Sequence, residues 1–301
     1  MGIQLRLRKP ETRRVPLDER RRPLVMAIIN LNDDSFSGDG TLDVAVALGQ
    51  AGAAIEAGAD IIDVGAESAR TNRGPITEDE EIARLRPFLE GFEGLVAGCS
   101  GPAIADQLWP PALSINTWRP GVARQALAVA GDILNDMSAL PDDENARICA
   151  AAGATLLIMH SIGEPKVPHR GQHYPDIMAT LSEFFADKIA MARAAGLEDD
   201  QIILDPGIDF AKDAEDNLTI FRECEKLRAF GLPIMLPVSR KTVIGETLDL
   251  PDPTDRDAGT LACIVRGQRA GAEIFRVHNV AAAVAATRMV AGILVGNSPS
   301  G

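Results

Sequence analysis

Residues 57–65 read Ala57-Gly58-Ala59-Asp60-Ile61-Ile62-Asp63-Val64-Gly65, and two later segments repeat the opening of this stretch, Ala152-Gly153-Ala154-Thr155 and Ala270-Gly271-Ala272-Glu273, each leading into an apolar run. In all three the glycine stands where a helix has to stop. A left-handed residue there closes the last turn, and glycine adopts that conformation without the penalty an L side chain carries. The apolar, β-branched run that follows has the composition of a strand buried on both faces. Helix, glycine stop and parallel strand therefore form the unit from which the chain is built.

Working outward, the same unit accounts for almost the whole sequence. Strands are predicted at 24–30, 61–65, 112–116, 133–136, 155–160, 202–205, 233–238 and 273–278, alternating with helix-like stretches such as 41–57, 143–152, 176–195 and 254–270. Thr77-Glu78-Asp79-Glu80 predicts a capping box at the start of the second helix, Thr77 accepting from the Glu80 amide while Glu80 reaches back. Eight units with no linker between them favour an α/β fold of the (β/α)8 TIM-barrel type, residues 23–296, over a doubly wound sheet; six or seven units in an open sheet are the alternative. Ile3, Leu5 and Leu7 alternate like a short strand, so residues 1–22 are read as an extension or hairpin closing the bottom of the barrel, and 297–301 as a tail.

Composition narrows the function classes. The chain of 301 residues is 46% hydrophobic and 24% charged, enough to bury a full core. A formal net charge of −13 excludes nonspecific nucleic-acid binding as the expectation, because phosphate neutralisation needs surplus cations on one face. The basic residues of the first 22 positions (Arg6, Arg8, Lys9, Arg13, Arg14, Arg20, Arg21, Arg22) are interspersed with Glu11, Asp18 and Glu19 and precede no apolar signal core, which argues against a targeting segment or a nucleic-acid arm. Cys99, Cys149, Cys224 and Cys263 form no Cys-x-x-Cys pair and read as reduced, small hydrophobes. No apolar run reaches the roughly 18 residues of a membrane span. A soluble, cytoplasmic protein is expected.

Polar residues gather at the C-terminal ends of the predicted strands: Asn30, Asp63 and Glu67, Asn116, Asn135 and Asp136, His160, Asp205, Lys241, and Arg276 with His278. In a parallel barrel these ends converge on one mouth. Any single Asn or Asp there has a bland reading as a helix cap, and His160 as a buried group satisfied locally. Recurrence over eight units favours a site. His169 and His173, in a Pro- and Gly-bearing loop, read as solvated rather than as metal ligands, and the Gly38-Asp39-Gly40 stretch lacks the ligand spacing of a calcium loop.

Over residues 23–294 these segments resemble the dihydropteroate synthases. The resemblance is carried by Ile28-Ile29-Asn30 with Asp34-Ser35-Phe36-Ser37, by Gly58 to Gly65 leading to Glu67-Ser68 and Arg70, by Asn135-Asp136, Met159-His160, Asp205-Pro206-Gly207-Ile208 with Phe210 and Lys212, Ser239-Arg240-Lys241 with Ile244-Gly245, Gly259-Thr260-Leu261-Ala262, and Arg276-Val277-His278. It implies an enzyme, a transferase that joins a pterin pyrophosphate to p-aminobenzoate with loss of pyrophosphate. On that resemblance Asn116, Asn135, Asp205, Phe210 and Lys241 bind the pterin; Asn30, Arg276 and His278 bind the pyrophosphate; Phe36, Arg70, Arg240 and Thr242 form the p-aminobenzoate pocket. Lys241, Arg276 and His278 are the catalytic set, Mg²⁺ is the cofactor with Asn30 as its ligand, and a homodimer is the expected assembly. The chemistry suits these residue types: a carboxylate and an amide can read the donor and acceptor edge of an aminopyrimidinone, and cations oppose charge growing on a departing pyrophosphate.

The chain departs from the family's usual pattern at several positions. Asn32-Asp33 stands for Thr-Pro, Gly38-Asp39 for Asp-Gly, Ala69-Arg70-Thr71 for Thr-Arg-Pro, and Asn116 and Asn279 each for Asp. The first three fall in loops that the resemblance assigns to the arylamine, which implies lowered sensitivity to sulfonamides. Two other readings stand beside the synthase: a methyltransferase moving a methyl group from a reduced folate to a corrinoid protein, and a noncatalytic pterin-binding paralogue.

Overall fold

The computed structural model describes residues 2–8, 11–32, 40–68, 74–167 and 172–295. A two-stranded antiparallel hairpin, β1 (Gln4–Leu7) and β2 (Arg13–Pro16), precedes eight parallel strands: β3 (Leu24–Asn30), β4 (Ile61–Gly65), β5 (Ala112–Asn116), β6 (Ile133–Asp136), β7 (Thr155–Met159), β8 (Ile202–Asp205), β9 (Met235–Pro237) and β10 (Ile274–Val277). The eight run in sequence order around the sheet, with β10 paired to both β3 and β9. Between β8 and β9 the ring closes through a single parallel bridge, Leu204 to Ile234, with the Leu204 amide 2.8 Å from the Pro233 carbonyl. A nearly closed barrel replaces the open-sheet alternative.

The helices that follow the strands are α1 (Val44–Glu56), α2 (Glu78–Gly98), α3 (Pro120–Val129), α4 (Glu144–Ala152), α5 (Ile177–Ala194), α6 (Ala214–Glu223), α7 (Thr242–Leu248), α8 (Asp257–Ala270) and α9 (Val280–Val295). Gly58, Gly153 and Gly271 all have positive φ, as the repeated stop requires. The structure differs from the sequence reading at several places, β7, β9 and β10 each being shorter than predicted. α1 starts later than residue 41 because Asp43 caps it, accepting from the amides of Ala45 at 2.8 Å and Val46 at 3.3 Å. The stretch 254–270 divides into a 3-10 turn, Pro253–Arg256, and α8. At α2 only half of the capping box forms: Thr77 accepts from the Glu80 amide at 3.1 Å, while the Glu80 carboxylate pairs with Arg84 one turn on.

Two apolar cores result. The larger lies between the outward faces of the strands and the helices, from Val25 and Ile62 to Phe88, Phe185 and Phe275. The smaller fills the lower barrel, where Leu5, Leu7 and Val15 of the hairpin pack beneath Leu24, Met26, Ile61, Ile133, Ile203 and Ile274. The hairpin therefore plugs the barrel floor. Its arginines are absorbed there: Arg22 pairs with Asp60 at 2.7 Å, Arg8 donates to the carbonyls of Leu127, Gly131 and Ala152 at the ends of helices and turns, and Arg13 donates to Trp109 and Pro110. Among the described residues no helix is long and apolar enough to cross a membrane.

Candidate active site at the barrel mouth

The C-terminal ends of β4, β5, β6 and β10 meet on one buried carboxylate. Asp63 of β4, fully buried, accepts from Arg276 Nε at 2.7 Å, from Asn135 Nδ2 at 3.2 and 3.3 Å, and from Ser114 Oγ at 2.6 Å. Period-two alternation explains the meeting, since strand residues whose side chains point inward at one height form a layer across the barrel. Asp63 thus orients the guanidinium and the amide that the resemblance assigns to pyrophosphate and pterin. Sequence reasoning placed Asp63 at the mouth and gave it no role in the site. Its one available signal was a charged residue inside an otherwise apolar strand, which has to find partners when buried.

Asp205, at the end of β8, is equally deep, and its carboxylate accepts from the Gly207 amide at 2.7 Å. Burial raises its carboxyl pKa to about 6, against the opposing pull of Lys241, Lys212 and Arg276. On β5, Asn116 is buried with its Oδ1 unpartnered and its Nδ2 3.6 Å from Met137 Sδ, a weak acceptor. Lys241 donates to the Ile208 carbonyl at 2.8 Å, and its ammonium lies 5.0 Å from the centre of the Phe210 ring. Burial pushes the Lys241 pKa down. His278 places Nδ1 2.8 Å from Ser239 Oγ, which also accepts from the His278 amide at 3.1 Å, so one hydroxyl sets the ring's orientation. Asn30 ends β3, the strand next to β10 in the ring.

Of the arylamine set, Arg240 and Thr242 lie among the described residues. Phe36 and Arg70 lie outside the described residues, as do the altered loop positions Asp33, Ala69 and Thr71, and His169. Arg240 holds Asp257 with Nε at 2.8 Å and Nη2 at 3.2 Å, and Asn279 donates to the same carboxylate at 2.9 Å. Thr242 is exposed and opens α7, where its amide and that of Val243 meet the Asp209 carboxylate. His173 is exposed.

Three strand-end residues serve the scaffold. The Asp136 carboxylate accepts from the Ser138 amide and hydroxyl and from Asn145, and burial raises its pKa. Glu67 pairs with Arg119 and with Lys166 at 3.1 Å, while Arg119 also pairs with Glu81, so one guanidinium ties together the segments after β4 and β5 and the start of α2. His160 accepts from Lys212 at Nδ1, 2.8 Å away, and packs edge-on against Phe184 and Tyr174.

A buried floor of carboxylate and amide groups beside a cationic rim suits a flat, hydrogen-bonding heterocycle joined to an anionic group. Among the described residues no three His, Cys, Asp or Glu side chains cluster as a metal cage.

Comparisons with known proteins agree with this geometry. The family described as "Pterin binding enzyme" matches residues 26–278. The dihydropteroate synthase of Synechocystis is 38% identical over 87% of this chain and 87% of its own length, and that of Escherichia coli 34% over 90% and 92%. The crystal structure of Yersinia pestis dihydropteroate synthase with a sulfonamide drug superposes with a TM-score of 0.85 at 30% identity, covering 98% of this chain and 100% of that one. The Xanthomonas albilineans enzyme with 4-aminobenzoic acid gives 0.81 at 30% identity, covering 96% and 98%. With the family profile spanning the barrel and synthases of this identity covering nearly its full length, the chain belongs to the dihydropteroate synthase family of pterin-binding enzymes.

Proposed function

We propose that this protein condenses 6-hydroxymethyl-7,8-dihydropterin pyrophosphate with p-aminobenzoate, giving 7,8-dihydropteroate and pyrophosphate. The observation that carries the reading is the set of under-bonded polar groups buried at the mouth: Asp205, whose carboxylate accepts, among the described residues, from the Gly207 amide alone, and Asn116 with an unpartnered oxygen. Buried polar atoms in a folded protein are nearly always bonded, so these await a ligand with complementary donors. The pterin's amino and ring N–H groups supply them. Asn135, held by Asp63, offers its amide oxygen to the same edge. Lys241 donates to the pterin carbonyl from an ammonium 5.0 Å from the centre of the Phe210 ring.

Arg276, fixed by Asp63, and His278, fixed by Ser239, stand on the adjacent strand end to receive pyrophosphate. Their donors stabilise charge that grows as the C–O bond breaks, and their orientation is set beforehand, which is where such stabilisation is most effective. The arylamine nitrogen then captures the methylene carbon and loses a proton, so the chain needs no side-chain nucleophile. Asn30, at the end of β3, would hold Mg²⁺ through its amide oxygen, and the ion would screen the pyrophosphate charge.

We also propose a homodimer, supported by an exposed apolar row on α8 and α9, Val265, Met289 and Ile293. A reducing, cytoplasmic setting is supported by four unpaired cysteines. Lowered sulfonamide sensitivity rests on the altered loop residues, and an inhibition constant equal to that of a relative with the usual loops would sink it. The central test is an assay of purified protein with the pterin pyrophosphate, Mg²⁺ and p-aminobenzoate. Formation of dihydropteroate and pyrophosphate in equal amounts is expected; pterin binding without pyrophosphate release would make the protein a noncatalytic paralogue.

A further inference from the structure

The segment after β8 runs through three left-handed residues, Gly207, Asp209 and Ala211, two of which carry side chains. At Gly207 a Cβ would lie 2.0 Å from the His160 carbonyl oxygen, so the loop passes too close to β7 for any other residue. Left-handed backbone at non-glycine residues persists only where the surroundings hold it. Asn217 and the first amides of α7 hold Asp209, and Lys212 holds the rest. Its ammonium donates to the Gly207 carbonyl at 3.0 Å, the Phe210 carbonyl at 2.9 Å and His160 Nδ1 at 2.8 Å, with the His160 carbonyl at 3.4 Å. Three close acceptors match the three protons of an ammonium and favour the charged form, against the burial that pushes the Lys212 pKa down to about 7. With the ammonium as donor to Nδ1, His160 is the neutral tautomer protonated at Nε2.

We propose that Lys212 is a positioning residue for pterin recognition, locking the β8 loop so that Asp205 and Phe210 face the ring and keeping Asp205 ionised. This rests on the pterin reading of the mouth. The charged groups facing Asp205 are Lys241, Lys212 and Arg276; those facing Lys212 are Asp205, Lys241, Asp216 and Asp209, with His160 as the titratable group in contact. Asp205 sits near pH 6 with all three cations present, so loss of one leaves burial less opposed and raises its pKa.

The test compares the parent chain with Lys212→Met and Lys212→Gln, measuring 6-hydroxymethylpterin affinity by calorimetry from pH 5 to 9 beside thermal midpoints. Expected is an acid limb of binding displaced to higher pH by about half a unit or more in both variants, with affinity at pH 6 falling about threefold beyond any loss at pH 8. An unmoved acid limb, with only the thermal midpoint lowered, would make Lys212 purely structural and overturn the proposal. Failure of the parent to bind pterin at any pH overturns the pterin reading and this inference together. Should neither variant fold, imidazole ¹⁵N spectra of the parent decide: His160 should stay neutral and Nε2-protonated, its pKa pushed down to about 3, and titration near the ordinary value would overturn the ammonium nest.

Discussion

At the floor of the barrel Asp60 accepts from the amides of Val25 and Leu108 and pairs with buried Arg22; at the mouth the carboxylate of Asp205, as deeply buried, accepts from the Gly207 amide alone among the described residues. The floor repeats its arrangement. Asp132 takes the amides of Arg8 and Leu113 before β6, and Glu273 takes that of Ile234 before β10, so acidic residues entering the strands stitch each one to its neighbour. The mouth instead keeps Asn116 Oδ1 without a partner and lysines bonded to loop carbonyls. Similar residue types thus serve opposite ends: Asp60 and Asp132, bonded through both carboxylate oxygens, fix the fold, while Asp205 and Asn116 keep hydrogen-bonding capacity for a ligand.

That contrast breaks most visibly at Arg22. Removing it by Arg22→Ala leaves the buried Asp60 carboxylate with two amides and the more distant Arg20, and should cost about 3 kcal/mol of unfolding free energy, with pterin affinity of the folded fraction unchanged. An unaltered urea midpoint would show that the floor pair does not support the barrel. Asp205→Asn should do the reverse, weakening pterin binding by about 1.5–3 kcal/mol in calorimetry. Because burial raises the Asp205 pKa, its ionised form is disfavoured in the fold, and the variant should be as stable as the parent or more so at pH 8. A destabilised Asp205→Asn with normal affinity would assign the residue to the scaffold.

The floor and the mouth were not equally legible in the sequence. Strands β3, β4, β5, β6 and β8 begin and end where their apolar runs do, and the glycine stops mark the turns before β4, β7 and β10, because both signals are local. The hairpin was legible from the alternation of Ile3, Leu5 and Leu7, but the destinations of its arginines were not: Arg8 reaches Asp132 and Ala152, more than a hundred residues away, and no periodicity encodes that distance. The same limit hid the Asp63 hub, whose partners lie on β5, β6 and β10. Lys212 stood in a recognisable motif, yet its role depends on three left-handed residues that side-chain type does not announce.

The pH dependence sharpens the comparison further. Glu273 at the floor has its pKa raised to about 7 by burial, above the ordinary 4.5, so the native state holds a proton over that interval that the unfolded chain has released. Stability is therefore greatest below about pH 4.5 as far as this group is concerned, and its contribution is lost as pH rises through 7. Glu273→Gln keeps an acceptor for the Ile234 amide and should remove this slope, leaving the variant more stable than the parent at pH 8 by on the order of 1–2 kcal/mol. Parallel stability curves for the two from pH 5 to 8 would refute it. Pterin affinity at fixed pH should not change, since the floor makes no contact with the ring.

The smallest expected effect falls at Asn116, where the mouth can be moved towards or away from the floor's pattern by one atom. In the free protein its Nδ2 has only Met137 Sδ to donate to, and its Oδ1 has no partner. Asn116→Asp exchanges that weak donor for a second acceptor, so two oxygens then face no donor and the carboxyl pKa rises. The free variant should lose about 1 kcal/mol, seen as a lowered thermal midpoint. A pterin presents N–H donors to this wall, and a carboxylate accepts them more strongly than an amide does. The rise in midpoint on adding pterin should therefore be larger for the variant than for the parent, and only above the raised pKa of the new carboxyl. Should the midpoint fall with and without pterin alike, Asn116 would be matched to a ring that offers an acceptor at this position, and the substrate assigned to the mouth would have to change with it.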